Sequence, residues 1–200
     1  MNVDKPLPDT IRDPFPNPFA RYFAATRPAF MTVTFAGSLI GLGSAVAAGL
    51  DIDLAKALVT ILFALVAHSG ANVINDYFDA VNGTDNLNDE LLPPYTGGSR
   101  FIQNGFLSLA EMRRFGYLLL AAVIPGGLWL TIASGPGLLA IGLAGLAVAW
   151  AYSAPPFKLM SRGMGEAAIT AGWLLVVLGT DYVQRGELAA LPLVAGLPFA

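Results

Sequence analysis

The chain has 200 residues, of which 55% are hydrophobic and 12% are charged. Ordinary soluble domains carry about 25% charged residues, so this composition excludes a typical soluble protein and indicates one whose solvent is largely lipid. The net charge of −3 gives no reason to expect a nucleic-acid partner. The absence of cysteine excludes disulfides and thiolate metal sites.

The first part of the chain is polar and rich in proline. A secretory signal needs a basic start followed by an apolar core, and residues 1–18 have neither. Prolines recur from Pro6 to Pro18, which predicts extended backbone before the membrane begins. We therefore predict a polar cytoplasmic tail over residues 1–23 and a membrane domain over residues 24–200.

Long apolar runs follow this tail. A helix needs about 20 apolar residues to cross the bilayer core. Five runs satisfy this length or come close to it, and a sixth begins near the end; they cover residues 30–50, 57–74, 117–134, 136–153, 167–183 and 188–200. The predicted fold class is an all-α membrane protein, a multi-helix transmembrane bundle.

The basic residues orient this bundle. The segment before the first run, the loop after the second run and the loop after the fourth run hold nine of the chain's 11 basic residues, and only Lys56 and Arg185 lie on the other side. Basic loops stay in the cytoplasm. We therefore predict a multi-pass protein of the cell membrane with a cytoplasmic N-terminus and two long cytoplasmic loops.

Polar side chains gather at the cytoplasmic end of the second run. Placed on a helix at about 100° per residue, five of them fall in one arc, namely His68, Asn72, Asn75, Asp76 and Asp79. Gly83 is expected to end the helix, which leaves Asp85 in the following loop. We call the four residues Asn72, Asn75, Asp76 and Asp79 the acidic stripe.

The acidic stripe predicts a metal site. Ionisable groups at membrane depth cost about 2.5–3.5 kcal/mol each and are usually functional. No Lys or Arg lies within the stripe, so a divalent cation is the natural partner of its carboxylates. Oxygen ligands without thiols favour Mg²⁺ or Mn²⁺ over zinc. The alternatives are that the carboxylates merely end a helix in the solvated interface, and that His68 only hydrogen-bonds a neighbouring helix.

The two cytoplasmic loops add candidate anion ligands. The first contains Thr-Gly-Gly-Ser-Arg at residues 96–100, where backbone N–H groups, Ser99 and Arg100 could bind a phosphate. The second runs from Tyr152 to Glu166 and includes Lys158 and Arg162, which could neutralise a diphosphate or could be ordinary basic anchors. Carboxylates, cations and an apolar bundle together suit a polyprenyl diphosphate.

At this point the motifs resemble the UbiA superfamily of intramembrane prenyltransferases. Its first signature is similar to Asn75-Asp76-Tyr-Phe-Asp79 followed by a further acid, here Asp85. The position of Asp85 resembles the branch that prenylates 1,4-dihydroxy-2-naphthoate in menaquinone synthesis. Other segments are similar to that branch at residues 25–28, 96–100, 162–166 and 179–184, although an aromatic residue is commoner there at the position of Asp181.

The resemblance implies a site and a reaction. It implies Mg²⁺ or Mn²⁺ held by Asp76, Asp79 and Asp85, with Asn72 and Asn75 as supporting catalytic residues. The implied diphosphate ligands are Ser99, Arg100, Tyr152, Lys158 and Arg162. The implied partners are a polyprenyl diphosphate, an aromatic acceptor and the lipid bilayer.

One feature of the family is not found in this sequence. The family has about nine membrane helices and a second Asp-x-x-x-Asp motif at the cytoplasmic end of the sixth, whereas after Asp89 this chain has only Asp181, which is predicted to lie on the other face. We therefore expect the chain to be truncated and inactive by itself, either as a fragment or as a degenerate relative. Prenylation of hydroxybenzoate, homogentisate or a chlorin, and a non-catalytic or transporting membrane protein that binds a cation, are the alternative functions.

Overall fold

The computed structural model describes residues 14–83 and 99–200, and the regular structure in these ranges is helical. The described residues form seven α-helices, which in chain order are α1 Pro18–Ala25, α2 Met31–Ala47, α3 Leu54–Asn82, α4 Leu109–Ser134, α5 Gly137–Ser153, α6 Gly165–Arg185 and α7 Leu191–Gly196. Short 3₁₀ turns lie at Pro28–Phe30 and Met160–Arg162.

In the part of the chain that the structure describes, four helical segments are long and apolar enough to cross a membrane, namely Pro28–Ala47, Leu54–Asn82, Leu109–Ser134 and Gly165–Arg185. Helix α5 is equally apolar but has only 17 residues. Large hydrophobic side chains lie on the outer surface, as at Leu118 (67% exposed) and Ile132 (87% exposed), where only lipid makes their exposure favourable. The predicted fold class, a multi-pass helical membrane bundle, is confirmed.

Helix α1 begins inside the segment predicted to be an extended tail. The side chain of Asn17 accepts a hydrogen bond from the backbone N–H of Ala20 at 2.8 Å, and Pro18 is the first helical residue. Proline suits this position because its missing N–H would have no helical partner there. The predicted boundary between residues 23 and 24 therefore lies within α1, and residues 1–13 are outside the described part.

Helices α3 and α4 pack closely along most of their length. Helix α3 has 29 residues, a length of about 44 Å at 1.5 Å per residue, whereas the hydrocarbon core is about 30 Å thick. Its C-terminal turns therefore extend into the membrane interface. At Gly116 of α4, a Cβ atom would lie only 2.7 Å from Cγ1 of Ile74, so a glycine is needed for the helices to approach here.

A cluster of buried apolar residues covers this end of α3. It joins α1, the segment before α4 and α4 itself through Ala25, Val73, Phe101, Leu107 and Met112. The cluster fixes the segment after residue 98 against α3 and so places Ser99 beside the acidic stripe.

Candidate active site

The two carboxylates of the acidic stripe are buried near the end of α3. Asp76 is 3% exposed and Asp79 is 6% exposed. The helix ends at Gly83, whose φ of 79° is left-handed, so the predicted end of the helix is confirmed. Burial of two acids three residues apart in an apolar bundle requires polar partners, and both have them.

Asp76 is paired with an arginine from another part of the chain. Its carboxylate forms an ion pair with the guanidinium of Arg27, which is 19% exposed. The backbone N–H of Ser99 also donates to Asp76, with N···O distances of 3.2 and 3.4 Å. The stripe itself contains no cation, as the sequence indicates, but the fold brings one to it from the turn between α1 and α2.

The sequence motifs do not indicate this role of Arg27, which lies in the basic segment before the first apolar run and in the family-like residues 25–28. The available signal was that Arg27 immediately precedes the first membrane span on the same face as Asp76.

Asn75 connects the stripe to α5. Its side-chain amide donates to Asp79 Oδ2 at 2.9 Å and also to the hydroxyl of Ser153. The amide of Asn82 donates to the Ser153 carbonyl oxygen at 3.2 Å. These bonds hold the C-terminal end of α5 against α3, and they involve Ser153, a buried residue of the second candidate loop for which the sequence predicted no role.

Asn72 holds the turn that carries Arg27. Its amide donates to the backbone carbonyl oxygen of Thr26 at 3.0 Å. Because Arg27 is paired with Asp76 at the same time, two residues of α3 fix this turn.

His68 lies two turns farther into the bundle. Its Nδ1 is 2.7 Å from the hydroxyl of Thr34 on α2, and its ring meets the Trp173 ring edge to face at a centroid distance of 5.2 Å. These contacts agree with the alternative that His68 hydrogen-bonds a neighbouring helix.

Three basic residues have unusual backbone conformations. Within the described ranges, the non-glycine residues with positive φ are Arg27 (57°), Arg100 (54°) and Lys158 (46°). This conformation costs about 1–3 kcal/mol for a non-glycine residue and clusters at functional sites. Two of the three, Arg100 and Lys158, are predicted diphosphate ligands.

Of the remaining predicted diphosphate ligands, Tyr152 lies near the stripe and Arg162 does not contact it in the described ranges. Tyr152 is half-buried and interacts electrostatically with Asp79 and Arg27. Arg162 is exposed, and its guanidinium donates to the carbonyl oxygen of Pro156 at 2.9 Å, within its own loop. No contact between Arg162 and the stripe is seen in the described ranges, and Asp85 lies outside them.

The donor set suits a hard divalent cation only in part. In residues 14–83 and 99–200, no group of three or more His, Cys, Asp or Glu side chains is arranged to hold a metal. Mg²⁺ usually needs only one or two carboxylates together with substrate phosphates. Asp76 and Asp79 with the amide of Asn75 meet that requirement, provided that Asp76 exchanges its arginine partner.

Two comparisons with known proteins identify the family that this chain is similar to. The model of the UbiA prenyltransferase family matches residues 33–200. A protein of Mycobacterium tuberculosis (strain ATCC 25618 / H37Rv) named 1,4-dihydroxy-2-naphthoate octaprenyltransferase is 31% identical over 167 residues, 83% of this chain and 54% of that protein. Proteins of the same name from Mycobacterium leprae (strain TN) and Escherichia coli (strain K12) are each 28% identical, over 83% and 84% of this chain respectively and 54% of each relative.

The chain spans about half the length of the curated relatives it matches. Their printed name is that of the branch which the sequence motifs resemble, so the predicted resemblance is confirmed. The comparison with solved structures found no match.

Proposed function

Because the chain belongs to the UbiA prenyltransferase family, we propose that the protein transfers a polyprenyl group from a prenyl diphosphate to an aromatic acceptor. The observation that carries this proposal is the buried acidic stripe at the interfacial end of an apolar helix bundle. A polyprenyl diphosphate requires both the apolar bundle and the stripe, since its apolar tail is stable in the bundle and its charged head needs polar partners. The apolar bundle would thus accommodate the prenyl tail, and the acidic stripe would bind the diphosphate head through a metal ion.

The acidic stripe would hold Mg²⁺ or Mn²⁺ through Asp76 and Asp79, with Asp85 as a further ligand. Such a cation neutralises diphosphate charge as the leaving group departs. Asn75 keeps the Asp79 carboxylate in one orientation through its 2.9 Å hydrogen bond. Asn72 would act on Asp76 instead, because it fixes the turn that carries Arg27, the ion-pair partner of Asp76.

Positive charge near the stripe would stabilise the departing pyrophosphate. Arg100 and Lys158 lie in the two cytoplasmic loops, and each has a left-handed backbone that sets the direction of its side chain. Charge stabilisation at a developing anion is often the largest catalytic term. Ser99 and Tyr152 would add hydrogen bonds, whereas Arg162 would have to leave its bond to Pro156 to contribute.

The acceptor proposed first is 1,4-dihydroxy-2-naphthoate. The relatives' names support this choice, as do the branch-like segments of the sequence. In this reaction the allylic carbon bonds to the electron-rich ring as its bond to the diphosphate breaks, and the ring loses its carboxyl group as carbon dioxide. Hydroxybenzoate, homogentisate and a chlorin are the acceptors to compare with it.

The proposed location is the cell membrane, with the N-terminus and the acidic stripe on the cytoplasmic side. Nine basic residues on that side against two on the other support this orientation. A water-soluble diphosphate head and a water-soluble ring acid would then reach the site from the same compartment.

The test is a prenyl-transfer assay with the purified full-length protein, Mg²⁺, a polyprenyl diphosphate and each candidate acceptor. We expect Asp76→Asn and Asp79→Asn to abolish transfer, because each removes a charge from the metal-binding stripe. Asp53→Asn is the matched control, since the Asp53 side chain caps the opposite end of α3 by accepting from the N–H of Lys56 and asparagine caps equally well. Transfer that persists in Asp76→Asn would refute the site, and Mg²⁺ binding without transfer to any ring would support the non-catalytic alternative.

A further inference from the structure

Asp76 already has a cationic partner, Arg27, and this affects how a metal ion can bind to Asp76. The Arg27–Asp76 ion pair joins residues 49 positions apart, and the Asp76 side chain is only 4% exposed. The guanidinium donates to Oδ1 of Asp76 and the Ser99 N–H donates to Oδ2, so a cation that binds to Oδ1 competes with the guanidinium.

Arg27 is also held in place by its backbone. It has a φ of 57°, in a region that non-glycine residues other than Asn, Asp and His rarely adopt. The carbonyl of the preceding residue, Thr26, accepts a hydrogen bond from Asn72, and Pro28 follows immediately. Such a conformation persists only where surrounding contacts determine it, and here those contacts come from the acidic stripe.

We propose that Arg27 is a positioning residue that competes with a divalent cation for the Asp76 carboxylate and binds the diphosphate when it leaves that carboxylate. This inference rests on the proposed function. An arginine suits both states, since its planar guanidinium pairs equally well with carboxylate and phosphate oxygens. The turn between α1 and α2 keeps it at the stripe in either state.

The exchange keeps the stripe neutralised in both states. In the absence of metal, Arg27 offsets the charge of a buried acid that would otherwise be costly. In the loaded state the same guanidinium faces a substrate with more negative charge than a carboxylate. Metal and diphosphate should therefore bind cooperatively, because each favours the state in which Arg27 has left Asp76.

Mn²⁺ binding tests this inference without any measurement of transfer. The purified protein in detergent micelles is titrated with Mn²⁺, and free Mn²⁺ is quantified by electron paramagnetic resonance, with and without inorganic pyrophosphate as the probe. We expect Arg27→Gln to bind Mn²⁺ alone about tenfold more tightly than the wild type, because the competing charge is gone. We expect the same variant to bind pyrophosphate in the presence of Mn²⁺ about tenfold more weakly.

Arg21→Gln is the matched control. It removes the same charge from the same segment, but its guanidinium lies near the carbonyl oxygen of Phe106, at 3.5 Å. Its Mn²⁺ affinity should stay close to that of the wild type. Arg27→Lys, which keeps the charge and removes the fork, should fall between the wild type and Arg27→Gln, and it serves as the test if Arg27→Gln does not fold.

The outcomes separate this inference from the proposed function. Mn²⁺ binding that is lost in Asp76→Asn but unchanged or weakened in both Arg27 variants overturns the role of Arg27 alone. Mn²⁺ binding that is insensitive to Asp76→Asn overturns the metal site and the role of Arg27 together. A gain in Mn²⁺ affinity with a loss in pyrophosphate affinity supports the exchange, since a purely structural role would not produce opposite changes.

Discussion

Asp181 is fully buried at the end of the bundle opposite the acidic stripe. Its carboxylate accepts two hydrogen bonds from Arg185, at 2.7 and 2.8 Å, and one from the Ser44 hydroxyl on α2 at 2.6 Å. This arrangement accounts for a buried acid at a position where the resemblance leads us to expect an aromatic residue. The acid is compatible with the bundle because Arg185, one turn later on α6, neutralises it.

Asp181→Ala should therefore destabilise the protein strongly. The substitution leaves the Arg185 charge, whose side chain is only 13% exposed, without its partner, and removal of one member of a buried pair costs about 3–5 kcal/mol. Thermal unfolding in detergent micelles measures the change. Glu187→Ala, at an exposed position nearby, is the control and should change little; equal melting temperatures for both variants would contradict a stabilising role for the pair.

At the scale of helices, the contact between α3 and α4 controls where the stripe lies. A Cβ at residue 116 would lie 2.7 Å from Cγ1 of Ile74 and 3.2 Å from its backbone nitrogen. Ile74 immediately precedes Asn75, so any separation of the helices moves the stripe away from Arg27 and Ser153.

Gly116→Ala is expected to lower both stability and prenyl transfer. Overpacking of this kind costs about 1–3 kcal/mol, and small residues at helix contacts are typical of membrane bundles. Gly127→Ala lies on the same helix, where nothing lies within 4 Å of the new Cβ, and should keep wild-type melting temperature and activity. If the two variants behave alike in melting and transfer assays, the close contact does not matter.

The helices that cross the membrane could be predicted because their signal is local. Apolar run length gave the approximate bounds of α2 to α6, and Gly83 gave the end of α3. Helix α1 was missed because its prolines favoured an extended tail, although Asn17 followed by Pro18 is a recognised helix start. For the start of α1, the capping pattern at Asn17 and Pro18 therefore predicts the structure better than the proline content of the segment does.

The site could be predicted only where its residues share one helix. The stripe follows from helical periodicity, since all four members lie within two turns of α3. The Arg27–Asp76 and Asn75–Ser153 contacts join residues 49 and 78 positions apart, and their formation depends on how helices pack. Nothing in the local sequence of Ser153 distinguishes it from other small residues in an apolar helix.

At the scale of the whole molecule, the two ends of the bundle differ in charge and in chemistry. One end has the acidic stripe and most of the basic residues, and the other has the Asp181–Arg185 pair and the hydrogen bond between Gln184 and the backbone of Asp53 at 2.9 Å. Charge asymmetry of this kind sets orientation in the membrane. The stripe should therefore face the cytoplasm.

Single cysteines can test this orientation, because the sequence has none of its own. Asp51→Cys and Glu187→Cys are exposed near the Asp181 end, and Asn104→Cys and Ser161→Cys are exposed near the stripe. A membrane-impermeant maleimide should label the first pair on intact cells and the second pair only after permeabilisation. The reverse pattern would place the stripe outside the cell, away from the cytoplasmic supply of prenyl diphosphate that the proposed function requires.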